Sequence, residues 1–114
     1  MPTKEQLMAQ RAFSVVSKRN MEYANDAKKF DEYKSFAFSF PTLIHSCGLV
    51  QAIAFAGAKS KDDYVEDLQV VFDEIDDAGN LSERSRKANI VEYMRISRHA
   101  TSAASWIKRY CQAL

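Results

Sequence analysis

The sequence predicts an all-α protein, a single compact helical bundle of about five to six helices in one domain spanning residues 1–114. Three observations support this prediction. The chain has only three Gly and two Pro, so residues that interrupt helices are scarce. Apolar residues recur at helical spacing along most of the chain. Several of these periodic segments follow a residue that can cap a helix N-terminus. A chain of this length typically forms one domain.

The first predicted helix spans about residues 4–25. Thr3 and Gln6 have the spacing of a capping box, in which each side chain accepts a hydrogen bond from the other residue's backbone N–H. Asp26 is then a candidate cap for a short second helix. The sequence leaves open whether the first two helices are separate. The predicted inner face of the second helix consists of Phe30, Tyr33 and Ala37.

The third predicted helix lies in a segment without charge, since no Asp, Glu, Lys or Arg occurs from residue 35 to residue 58. We place this helix over about residues 41–58, because Pro41 suits the first position of a helix. Gly48 then lies inside it, at a cost of about 1 kcal/mol relative to Ala that close packing would offset. Polar residues interrupt the segment, so we interpret it as a helix surrounded by other helices and not as a membrane span.

The fourth predicted helix is rich in acidic residues. Ser60 followed by Asp63 indicates a capped N-terminus. The inner face of this helix includes Leu68 and Phe72 and extends to about Ile75. The sequence DDAGNLS after it predicts a turn.

Two helices are predicted in the last third of the chain. The fifth covers about residues 84–96, with Ala88, Val91 and Met94 facing inward. Ser97 is the candidate cap of the last helix, which spans about residues 98–113. Polar residues spaced four, three, four and three apart predict a solvent-facing stripe on this helix. They are Arg98, Ser102, Ser105, Arg109 and Gln112.

Charge is distributed unevenly along the chain. The formal net charge is +1, but residues 1–61 carry +4, residues 62–83 carry −9 and residues 84–114 carry +6. The near-neutral total therefore hides two basic parts and one strongly acidic part, which suggests contacts with partners of both signs.

Residues suited to catalysis or metal binding are sparse. The three Gly residues are too scattered for a phosphate-binding loop, and the only histidines are His45 and His99. A zinc site using them with Cys47 and Cys111 would lack the paired spacing typical of structural zinc. A small enzyme using His45 and Cys47 as base and nucleophile is a rival interpretation, but no third group is apparent. We therefore predict no enzyme, no metal and no cofactor.

The cysteines and the aromatic residues have simpler interpretations. Two cysteines do not form a disulfide framework, and the first ten residues lack a signal-peptide pattern, so a cytoplasmic location is predicted. The aromatic residues spaced along the helices are interpreted as core. They include Phe13, Trp106 and Tyr110.

Three stretches of the sequence resemble a known family. They are DEYKSFA, FPTLIHSCGLVQAIAF with the lysine that follows it, and EYMRIS followed by ASWIKRYCQAL. In their order, their spacing and the total chain length they resemble the small α-helical subunit of the type III-B CRISPR effector, the Cmr complex. The resemblance covers nearly the whole chain.

This resemblance implies a non-catalytic subunit of an RNA-guided effector in antiviral defence. In that family, several copies stack into a short filament beside a larger one that holds the CRISPR RNA. The two filaments form a channel for the complementary target RNA. The implied partners are the other Cmr subunits, further copies of this chain, CRISPR RNA and target RNA, and no membrane.

Lysine and arginine contacts to phosphates do not depend on sequence, which suits such a channel. The candidate RNA-binding residues are Arg11, Lys18, Arg19, Lys59, Lys108 and Arg109. The candidate subunit-interface residues are Asp73, Glu74 and Asp77, which we expect to meet the basic end of the next copy. The alternative is a helix-turn-helix DNA-binding regulator that uses residues 84–98 as its recognition helix.

Overall fold

A computed structural model describes all residues, 1–114, and contains six α-helices and no β-strand. The all-α prediction is therefore confirmed. The helices are α1 (Lys4–Glu22), α2 (Ala27–Cys47), α3 (Leu49–Ala58), α4 (Asp62–Phe72), α5 (Leu81–Lys87) and α6 (Ile90–Ala113).

The start of α1 forms as predicted. The Thr3 hydroxyl accepts from the Gln6 backbone N–H at 3.1 Å, and the Gln6 side chain accepts from the Thr3 backbone N–H at 2.8 Å. The helix ends at Glu22, and a turn separates it from α2, so the first two helices are distinct. The Asp26 carboxylate caps α2 by accepting from the Lys29 backbone N–H at 3.1 Å.

The predicted helix over residues 41–58 is wrong, because the charge-free segment contributes to two helices. Helix α2 continues through Pro41 and ends at Cys47, and α3 begins at Leu49. Gly48 lies at the junction with φ 86° and ψ 161°, a conformation that is almost restricted to glycine. Pro41 is tolerated inside α2, where the fully buried Phe40 anchors the helix in the core.

The predicted cap of the fourth helix is also wrong. Ser60 has a positive φ of 58° and lies in the turn after α3. Helix α4 begins at Asp62 after Lys61, without a side-chain cap. It ends at Phe72, so Asp73 and the acidic residues after it lie in a loop and not in the helix.

The last two predicted helices have different boundaries from those expected. The Asn80 side chain caps the short α5, and the Asn89 side chain caps α6 by accepting from the Glu92 backbone N–H at 2.9 Å. Ser97 is therefore not a cap but lies inside the 24-residue α6, and its buried hydroxyl has no partner. Val91 and Met94, which we predicted to face inward, are exposed.

One cluster of 26 buried apolar residues includes side chains from all six helices. Helix α6 is central to the packing, since it contacts α1, α2, α4 and α5. The molecule is flat, with principal extents of 43 × 39 × 20 Å. This shape leaves one face of α6 open to solvent along most of the helix.

Candidate nucleic-acid interface

The outer face of α6 carries the polar stripe that the spacing predicts. All five of its residues are exposed, while residues such as Ala100, Ala103 and Ile107 on the opposite face are fully buried. Because α6 is one continuous helix, the same face extends toward its N-terminus through Met94 and Val91. The stripe therefore changes from aliphatic at one end to cationic at the other.

A groove of about 770 Å³ lies between the start of α1 and the outer face of α6. Lys4 contributes a cation and Glu5 a carboxylate from α1, and Arg109 contributes a second cation from α6. Ser102 and Ser105 supply hydroxyls between them, and Trp106 supplies an aromatic ring. Cations, hydroxyls and an aromatic surface in one open groove suit the phosphates, sugars and bases of a nucleic-acid strand.

An aromatic cluster adjoins this groove. The rings of Trp106 and Tyr110 stack with a centroid distance of 6.0 Å. Tyr110 also meets the edge of Phe13 at 5.5 Å, and Phe13 is 51% exposed. Our interpretation of Phe13 as a core residue is therefore wrong. The α1 periodicity could not reveal this, because Phe13 lies beside the buried Ala12 but packs against Tyr110 of α6.

Four of the candidate RNA-binding cations make no ion pair. Lys18, Lys59 and Arg109 are exposed, and Lys108 is half-buried. They come from α1, the end of α3 and α6, and only Arg109 lines the groove. The Lys59 ammonium lies 5.5 Å from the centroid of the Phe55 ring. These side chains remain available to a partner, although the structure does not gather them all into one cluster.

Arg11 is already paired within the chain. Its guanidinium lies 2.6 Å from the Glu74 carboxylate, and its side chain is 49% exposed. This pair holds the loop after α4 against α1. Glu74 was a candidate interface residue, so this ion pair joins a predicted RNA-binding residue to a predicted interface residue.

Arg19 is a structural residue and is not available to RNA. Its side chain is only 12% exposed and donates to the Asp67 carboxylate at 2.9 Å. Tyr33 donates to the same carboxylate at 2.6 Å. Burial raises the pKa of Asp67, in spite of the hydrogen bonds from Arg19 and Tyr33. Desolvation lowers the pKa of Arg19, but the Asp67 contact more than offsets this, so the guanidinium stays charged. We therefore remove Arg19 from the candidate RNA surface.

The remaining acidic candidates differ in their contacts. Asp73 accepts from the Gln69 side chain at 2.8 Å and is exposed, while Asp77 is exposed and has no side-chain partner. Their neighbour Asp76 is buried and accepts from His99 at 2.7 Å and from Arg95. Part of the strong negative charge after α4 therefore stabilises the fold, and Asp77 is the acid most available to a partner.

The structure does not bring together the residues that the zinc site and the small enzyme would need. His45 and Cys47 are exposed at the end of α2, whereas His99 bonds Asp76 and Cys111 is buried. No group of three or more His, Cys, Asp or Glu side chains could hold a metal ion. No helix has both the length and the apolar composition needed to cross a bilayer.

The structure lacks the recognition helix that the helix-turn-helix alternative requires. Residues 84–98 do not form one helix, because Ala88 and Asn89 separate α5 from α6. The Arg84 guanidinium pairs with Glu92 across this break. A helix that reads bases must present a continuous face to the major groove, and this segment does not.

Comparisons with known proteins agree on one family. Residues 4–114 match the model of the family described as CRISPR-associated protein (Cas_Cmr5). The chain is 33% identical over 117 residues to the CRISPR system Cmr subunit Cmr5 of Thermus thermophilus, and the match covers 100% of this chain and 97% of that relative. The crystal structure of a CRISPR-associated Cmr5 family protein from the same organism superposes with a TM-score of 0.82 at 31% identity, covering 100% of this chain and 98% of that one.

Proposed function

This chain belongs to the Cmr5 family of CRISPR-associated proteins, and from that premise we propose that it is a non-catalytic subunit of a Cmr effector complex. Several copies stack beside the guide RNA, and their exposed cations contact the backbones of guide and target strands. The observation on which this rests is the groove beside α6, where Arg109 and Lys4 lie near hydroxyls and the Trp106 ring.

Backbone contacts fit the chemistry of this groove. Arginine and lysine bind phosphates through charge and hydrogen bonds, and this binding carries no sequence information. A channel for arbitrary guide–target duplexes needs that property, since base pairing supplies the specificity. The Trp106 and Tyr110 rings add a surface on which bases of any identity can stack.

Stacking of copies is supported by the charge distribution. The segment 62–83 carries −9 and the segment 84–114 carries +6. Several of these acids are paired within the chain, but Asp62, Asp73 and Asp77 are exposed and make no ion pair. A contact between the acidic segment of one copy and the basic segment of the next joins two different surfaces, so it extends into a filament instead of closing into a dimer. Many weak RNA contacts on one assembly then combine into strong binding.

Replacing Arg109 by Ala in every copy of the assembled complex tests the RNA contact. Target-RNA affinity should fall, and the slope of log K against log salt should decrease by about one unit for each phosphate contact removed. The matched control is Lys28→Ala, which removes an exposed cation of α2 that makes no ion pair and does not line the groove.

The salt slopes of the two variants show whether RNA binds in the groove. If Lys28→Ala reduces the salt slope as much as Arg109→Ala does, RNA responds only to total charge and the groove is not its site. If neither variant changes the slope, this surface does not face RNA. Circular dichroism of both variants establishes that each is folded before the complexes are compared.

A further inference from the structure

The first turns of α6 expose a compact aliphatic patch. Ile90 is 70% exposed, Val91 is 76% exposed and Met94 is 54% exposed. Met94 lies three positions after Val91 and four after Ile90, so its side chain neighbours both of them on the helix surface. The other large exposed apolar residues are spread over the first four helices and the two chain ends. A contiguous aliphatic patch on an otherwise polar surface marks a site of protein contact.

The rim of this patch is basic. Arg98 follows Met94 by one helical turn and is exposed without an ion pair. Arg86, in the last turn of α5 before the break at Ala88 and Asn89, is also exposed and makes no ion pair. The acids near the patch are already engaged, since Glu92 pairs with Arg84 and Glu83 pairs with Lys87. The partner surface should therefore combine an apolar centre with an acidic rim.

The outer face of α4 in this chain has that composition. Val70 is 38% exposed, and Asp62 and Glu66 lie on the same face at helical spacing. Asp73 directly follows the last residue of α4 and keeps helical backbone angles, so it continues this face. Glu66 forms an ion pair with Arg19 at 3.3 Å, but its side chain is still 74% exposed, so its carboxylate can contact a second cation. The opposite face of α4 is buried in the core, so this outer face is the one that can meet a partner.

We propose that the aliphatic patch of one copy seats on the outer face of α4 in a second copy. This inference rests on the proposed function, in which several copies stack, and it names the surfaces that touch. Ile90, Val91 and Met94 would cover Val70, while Arg86 and Arg98 would meet Glu66 and Asp73. The contact is heterologous, so each copy keeps one surface free for a further copy.

The arrangement leaves the RNA surface open. None of the residues of the aliphatic patch or of the outer face of α4 lines the groove beside Trp106 and Arg109. The outer face of α6 would thus make two different contacts. Its aliphatic N-terminal part would hold the next copy, and its cationic C-terminal part would face the strand.

Cysteine cross-linking in the assembled complex tests this contact. The exposed Cys47 is first replaced by Ser, while the buried Cys111 is kept. Val70→Cys and Val91→Cys are then introduced separately, and complexes are assembled from each variant alone and from the two mixed. A short bis-maleimide joins thiols that lie close together in the assembly. We expect a cross-linked dimer of this chain in the mixture and none with either variant alone.

Four results would overturn the inference. A dimer from Val91→Cys alone would indicate a two-fold contact between aliphatic patches. A cross-link from Val91→Cys to a different Cmr subunit would assign the patch to that subunit. The absence of any cross-link, with several copies per complex in native mass spectrometry, would refute these surfaces while leaving stacking intact. A single copy per complex would instead refute the stacking in the proposed function, and this inference with it.

Discussion

Replacing Arg19 by Ala should destabilise the fold strongly, whereas replacing its neighbour Lys18 should not. Arg19 is 12% exposed and pairs with Asp67, whose side chain is 9% exposed. Removing one partner of a buried ion pair costs about 3–5 kcal/mol, because the other charge stays buried. Asp67 keeps its 2.6 Å hydrogen bond from Tyr33 in the variant, so we expect a cost at the lower end of this range, about 3 kcal/mol.

The expected shift follows from the length of the chain. Unfolding entropies of about 2.1 cal/mol/K per residue give roughly 240 cal/mol/K for this chain, so a loss of about 3 kcal/mol lowers Tm by about 12 °C. Thermal unfolding followed by circular dichroism measures this shift. Lys18→Ala removes an exposed cation and should change stability by less than about 0.5 kcal/mol.

A second substitution separates charge from packing. In the Arg19→Ala background, Asp67→Asn removes the uncompensated carboxylate and should recover part of the lost stability. Equal melting temperatures for Arg19→Ala and Lys18→Ala would refute the structural role of Arg19. Failure of Asp67→Asn to recover any stability would show that lost packing, and not the buried charge, dominates the effect.

Two further predictions concern the Gly48 junction and the Asp76 carboxylate. Gly48→Ala should cost about 1–3 kcal/mol, because φ is 86° and the new Cβ would lie 3.3 Å from the Tyr93 hydroxyl. A Cβ added at Gly57 would have no atom within 4 Å, so Gly57→Ala should raise the free energy of unfolding by up to about 1 kcal/mol. Denaturant midpoints of the two variants that shift in the same direction would contradict this prediction. Burial raises the pKa of Asp76, but hydrogen bonds, chiefly from His99, lower it below its ordinary value. The stability that the charged Asp76 side chain gives the fold is therefore complete above the pKa of about 4 that an Asp has in the unfolded chain. It is lost as the pH falls through the lower pKa of Asp76 in the folded protein. Asp76→Asn should thus unfold more easily than the parent chain at pH 7, with the difference shrinking in acid, and a constant difference across pH would exclude the charged carboxylate as the cause.

Local features of the fold were predictable from local sequence. The capping box of Thr3 and Gln6 and the cap at Asp26 depend on residues three positions apart, so no tertiary information was needed to find them. The polar stripe of α6 was predictable for the same reason, since a helix places residues three and four apart on one side. The family was visible in the order and spacing of three sequence stretches.

Helix boundaries were less predictable where two rules competed. Pro41 looked like a helix start and Gly48 like a helix interior, yet α2 runs through the proline and breaks at the glycine. Ser97 resembled a cap, but Asn89, eight residues earlier, caps the longer helix. In each case the preference of a single residue did not decide the boundary, because the tertiary context can override such preferences.

By itself, the sequence determined the helical class, the uneven charge and the family of this protein, because these depend on composition and on short-range spacing. Only the tertiary structure decided which cations are free. Lys18 and Arg19 are adjacent and chemically alike, but one faces solvent and the other is held by Asp67, which lies 48 residues away along the chain. The physical reason is that availability to a partner depends on burial and on charges brought close by folding, and neither is encoded in any local stretch of residues.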